Sequence, residues 1–125
     1  MLEMHGVSRR LASFNDVVPG YIFTGIYFSD KYIASHPHQV KAFLRGLIKS
    51  FEFIKAHEEK ARSYLPKYTG VTLDVAKRSA LRDFRSLGRE SLELLDRQQD
   101  LLLKFGFLEK KASLKGIVDY SYLPR

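Results

Sequence analysis

A chain of 125 residues that is 45% hydrophobic and 28% charged is long enough to bury one core and too apolar for a disordered segment. It has no cysteine, which excludes disulfides, thiolate zinc sites and a cysteine nucleophile, and no window approaches the roughly 20 apolar residues of a membrane span. The net charge of +7 directs attention to anionic partners such as nucleic acid or a membrane surface, and the distribution of that charge has to decide between them and a solvated exterior.

The start, Met1-Leu2-Glu3-Met4-His5, lacks the basic-then-apolar pattern of a signal peptide. Two β-type runs follow, residues 10–14 and 21–28. Asn15-Asp16-Val17-Val18-Pro19-Gly20 joins them with the residues a turn needs, so the spacing predicts an N-terminal β-hairpin. Alternation along the second run places Tyr21, Phe23, Gly25 and Tyr27 on one face and Ile22, Thr24, Ile26 and Phe28 on the other. No third strand is apparent. A lone hairpin is marginal in water, so this half-sheet reads as part of something larger, with an edge that invites pairing with a second copy in a homodimer.

Beyond residue 28 the pattern is helical. Ser29 is placed to cap a turn through Asp30 to Ala34, and Ser35-His36-Pro37 restarts the helix with proline at its first position. Val40, Phe43, Leu44, Leu47, Ile48, Phe51 and Ile54 then recur at three and four, predicting a long helix with a continuous buried stripe. A break at Ala56-His57 precedes a second helix that ends at Gly70. Thr72 opens a third carrying Leu73, Ala76, Ala80, Leu81 and Phe84, and residues 90–105, rich in leucine, predict a well-buried fourth closed by Gly106. Residues 114–123 mix a short helical pattern with an aromatic tail.

Few residues suggest chemistry. His36 and His38 share a helix start without further ligands close by in sequence, and with His57 they read as polar groups at helix ends. Glu58 and Glu59 suit a first helical turn, where the helix dipole favours negative charge, and Asp96 with Asp100 falls on a polar face. Arg78, Arg82, Arg85 and Arg89 form a basic ridge if the third helix runs that far, and Lys41, Arg45 and Lys49 form another. Asp83, Glu90 and Glu52 interrupt both, which favours a solvated face over a nucleic-acid reader. A basic helical binding module for nucleic acid or protein is the competing reading. Nucleotide-binding, metalloprotease and hydrolase signatures are all missing, and no enzyme or cofactor is expected.

The order of motifs has a family likeness. Val18-Pro19 leads into the second run, Ser29-Asp30-Lys31-Tyr32-Ile33 and His36-Pro37 precede Val40-Lys41-Ala42-Phe43-Leu44-Arg45-Gly46, and Ala56-His57-Glu58-Glu59-Lys60-Ala61 leads on to Leu65-Pro66-Lys67-Tyr68-Thr69-Gly70. Gly106-Phe107-Leu108 and Val118-Asp119-Tyr120-Ser121-Tyr122-Leu123 close the series. Together they resemble the C-terminal part of ABC-transporter substrate-binding proteins of the NMT1/THI5-like group, whose ligands include sulfonates such as taurine, nitrate and pyrimidine-like molecules. The resemblance implies a mainly α chain with an N-terminal β-hairpin, a fragment of the α/β type 2 periplasmic-binding-protein fold. It forms one unit over 1–125, with 1–28 as hairpin and crossover and 29–125 as the helical C-terminal part of the first lobe. It implies a periplasmic or lipid-anchored extracellular receptor serving an ABC permease, with upstream residues supplying most ligand contacts. Within this chain it leaves Thr24 and Tyr27 as the polar residues able to reach a ligand cleft. The cysteine-rich motif of the pyrimidine synthases in the group is missing, which argues against enzymatic activity.

Overall fold

Hydroxyl side chains set most of the helix starts in the computed structural model, which describes residues 3–84 and 86–124. Met1, Leu2 and Arg85 of the basic ridge lie outside the described residues. After a 3-10 turn at Glu3–His5, the short helix α1 (Phe14–Val17) is opened by Ser13, whose Oγ accepts the Asn15 N–H at 3.2 Å while the Asp16 carboxylate accepts the Ser13 N–H at 2.7 Å. Ser29 caps α2 (Asp30–Ser35) by accepting the Tyr32 N–H, and Pro37 occupies the first position of α3 (Pro37–Ala56), where its missing N–H costs nothing. Helix α4 (Glu58–Thr69) ends at Gly70, whose φ of 69° is the left-handed conformation that closes a helix without a Cβ penalty. Thr72 accepts the Val75 N–H to start α5 (Leu73–Arg78), and Ser91 accepts the Glu93 N–H to start α6 (Leu92–Lys104).

The core lies among α2 to α5. Helix α3 packs against α2 and α4, and α4 packs on α5. Val40 and Ile48 of α3 and Val75 and Ala76 of α5 are buried, and Phe51 stacks on Phe84 with ring centroids 4.4 Å apart. The Arg62 guanidinium ties α4 to the end of α5, donating to the Ser79 carbonyl and to Glu58. The long stripe on α3 is only partly covered, however: Phe43 on the same face is 51% exposed.

The expected hairpin does not form. Among the described residues there is no strand, and the protein is mainly helical. Residues 13–17 are drawn into α1 by the reciprocal Ser13 and Asp16 bonds, a case of local side-chain bonding outcompeting a ladder. Residues 21–29 run without regular structure. Their ends are held by local bonds, the Tyr21 N–H donating to the Val18 carbonyl and the Ser29 carbonyl accepting the Ile33 N–H. Their long-range backbone attachment among the described residues is to a side chain, the Ile22 N–H donating to Gln98 Oε1 at 2.7 Å and Gln98 Nε2 donating to the Ile22 carbonyl at 3.1 Å. A side-chain amide thus does for Ile22 what a neighbouring strand would.

Three further expectations are corrected. The third helix stops at Arg78: Ser79 is extended, and its hydroxyl donates at 2.8 Å to the Val75 carbonyl that its own N–H would take in a continuing helix, so Ala80, Leu81 and Phe84 lie beyond the helix. Helix α6 is not deeply buried: Leu92 and the flanking Phe105 are exposed, and its most buried side chain is Gln99, whose Oε1 accepts the Ala112 N–H at 2.7 Å. The tail from residue 106 to 124 forms turns instead of a helix, pinned where the Tyr120 hydroxyl donates to the Glu90 carbonyl at 2.6 Å.

The accessible surface is 10322 Å², against about 6,800 Å² expected of a compact monomer of 14.4 kDa. Roughly a third of it is therefore surface that a protein of this size ordinarily buries.

Candidate functional site

Thr24 and Tyr27 both lie on the irregular segment 21–29, and both are exposed. Tyr27 is 87% exposed, with its ring folded back so that its hydroxyl oxygen would stand 3.1 Å from a Cβ placed on Gly25. Neither residue lines the two concavities described below, and among the described residues neither side chain is hydrogen-bonded to another polar group. Around them the segment is held by aromatic contacts: Phe14 meets Tyr21 edge-on at 4.9 Å, Phe28 meets Phe43 at 5.8 Å, and the Arg82 guanidinium lies 5.0 Å over the Phe23 ring.

Two concavities stand out among the described residues. One, of about 90 Å³, lies between the 18–21 turn and α6, and includes Arg97 and Gln98. The other, of about 220 Å³, runs between α3 and the chain end and is lined by Arg45, Lys49 and Glu52, by Ile48 and Leu87 beneath them, and by Arg89 and Pro124. Both fall below the roughly 300 to 1,000 Å³ of sites that bury a drug-sized ligand.

The basic ridge is dispersed. Arg78 ends α5, Arg82 turns onto Phe23, and the Arg89 guanidinium donates to the Pro124 carbonyl. What sequence spacing missed is that Arg89 joins Arg45 and Lys49 along one shallow wall. The bend responsible includes Leu87 at φ 51° and Gly88 at φ 80°, and the glycine at 88 was its visible sign. Gln98 was likewise overlooked. Two adjacent glutamines inside a leucine-rich helix were the available signal.

Titratable groups sit in ordinary structural pairings. Lys111 bridges Asp96 and Asp100 at 2.7 Å each, and its pKa is raised chiefly by the hydrogen bond to Asp100, then by that to Asp96. The Asp119 carboxyl is held below its usual range by the Ser121 N–H, which donates to it at 2.8 Å. Burial raises the Tyr120 hydroxyl, and the Glu90 charge adds to the effect. Arg62 lies 3.9 Å from Glu59 and bonds Glu58, so these carboxylates serve the α4 start. His36 and His57 occupy helix-cap positions, but their side chains do not cap; their rings pack on Tyr32 at 4.7 Å and Phe53 at 5.2 Å. Among the described residues no group of three or more His, Asp or Glu is arranged to hold a metal ion, and no helix is long and apolar enough to cross a membrane.

No family model, no curated protein and no solved structure matches the chain.

Proposed function

We propose that this chain is the C-terminal portion of a solute-binding receptor of an ABC importer for a small molecule of the sulfonate, nitrate or pyrimidine-like class. It acts by binding and not by catalysis, and it is incomplete for ligand binding on its own. The observation that carries the reading is the order of motifs from Ser29-Asp30 through His36-Pro37 and Leu65-Pro66 to the terminal Val118-Asp119-Tyr120-Ser121-Tyr122-Leu123. The exposed surface supports it, since apolar side chains such as Phe43, Tyr64, Leu73 and Leu92 are left uncovered as they would be if a larger body normally lay against them. In this reading the full receptor works at a permease outside the cytoplasmic membrane, and Thr24 and Tyr27 are the residues of this chain able to reach its cleft.

Reading the coding sequence upstream of Met1, then comparing the extended and 125-residue chains in a thermal-shift screen of taurine, nitrate and pyrimidines, tests this. An open frame encoding further βα units and a signal peptide, with a ligand shift confined to the extended chain, is the expected result. A closed frame, with neither chain shifted, overturns it. Salt-dependent DNA retention lost on Arg45→Glu with Lys49→Glu would instead favour the basic binding module, for which the convergence of Arg45, Lys49 and Arg89 is the supporting observation.

A further inference from the structure

The segment 21–29 has its own unmet requirement. The backbone groups of Phe23, Thr24, Gly25, Ile26, Tyr27 and Phe28 make no hydrogen bond among the described residues. The residues are aromatic, β-branched or glycine, without a charge or a proline. That composition suits a strand that pairs with another strand. We propose that two copies of the 125-residue chain pair through this segment as antiparallel strands about a twofold axis at Gly25. The inference rests on these backbone groups and not on the receptor reading.

Three observations select a second copy as the occupant. The first is charge: the chain carries +7, so most self-contacts set cations against cations, whereas 21–29 is neutral. The second is register. In an extended strand the N–H and C=O of one residue point to the same edge and alternate from residue to residue, and Gln98 already holds the edge of Ile22. The opposite edge then belongs to Phe23, Gly25 and Tyr27. A twofold at Gly25 pairs each glycine with its mate and sets Phe23 of one copy opposite Tyr27 of the other, an aromatic cross-strand pair between side chains that are 69% and 87% exposed in the single chain. The third is area. Each copy exposes about 3,500 Å² beyond a compact monomer, while a stable dimer interface buries roughly 1,200 to 2,000 Å² in all.

Glycine at 25 also leaves room for the Tyr27 ring of its own chain, which a side chain there would meet. Gly25→Pro removes both central N–H donors of the pair and should weaken dimerisation about tenfold or more, with the helical circular dichroism unchanged. Phe107→Ser, on an exposed turn far along the chain, should leave the dimer intact. Light scattering coupled to size exclusion reads both. Hydrogen exchange on the wild-type chain gives a measure that survives any misfolding of the proline variant: protection of the Phe23, Gly25 and Tyr27 amides that grows with protein concentration is expected. A monomer at every concentration, a dimer that leaves these amides unprotected, or open-ended assembly instead of a closed pair overturns the proposal.

Discussion

The helices α2 to α5 and the chain segments laid against α6 are held in opposite ways. In α2 to α5 each helix supplies its own bonds, its ends are closed by Ser29, Pro37, Gly70 and Thr72, and the buried side chains Val40, Ile48, Val75 and Ala76 fasten the set. In the other region the chain lacks regular partners and is held by long side chains: Gln98 on Ile22, Gln99 on Ala112, the Tyr120 hydroxyl on Glu90. The first region is held by packing and local signals, the second by a handful of polar attachments. A perturbation should therefore spread in the first and stay local in the second.

The largest expected break is in the first region. Ile48→Ala removes a buried side chain between α3 and the Gly88 bend and should cost about 2 to 4 kcal/mol, read as a fall in the urea midpoint with loss of helix across α3 to α5. In the second region, Gln98→Leu keeps the bulk and removes both bonds to Ile22, which should cost about 1 to 3 kcal/mol. Hydrogen exchange should report that loss at Ile22, with the α5 amides unmoved; a matching rise in α5 would mean the two regions form one cooperative unit. A smaller effect, about 1 kcal/mol, is expected of Thr72→Ala, which removes the α5 cap and should show in the same midpoint.

The smallest effect concerns pH. The folded Asp119 carboxyl titrates below its ordinary value of 3.8, so its contribution is complete above that value and is lost as pH falls through the lower, folded one. The Ser121 amide signal should shift in that acid window alone, and Asp119→Asn should abolish the shift. Lys111 behaves with the opposite sign: its raised pKa makes its contribution complete below 10.5 and lost as pH rises through the higher folded value, so it plays no part in the acid change.

The helix punctuation was legible because capping acts over two to four residues. Ser29, Pro37, Gly70 and Thr72 do in the fold what their chemistry announces in the sequence. The hairpin was misread because β-propensity describes a side chain's fit to a sheet and cannot say whether a second strand is available. Ser13 and Asp16 closed a helical turn across the end of the first run, and the second found Gln98 instead. Thr24 and Tyr27, the residues the resemblance leaves for a cleft, lie exposed on that same segment. The arginine ridge was broken where Ser79 turns extended and its hydroxyl takes the Val75 carbonyl, ending the helix that would have aligned it.

By itself the sequence determined the mainly helical character, the starts of α2 to α5, the stops of α2 to α4 and the order of motifs that carries the receptor reading. These depend on bonds within one or two turns. The tertiary structure alone decided that Gln98 meets Ile22 across 76 residues and that Arg89 comes to lie beside Arg45 and Lys49. It also decided that the apolar stripes are left partly uncovered. Contacts between residues far apart in the chain are set by which surfaces pack together, and no local pattern encodes that competition.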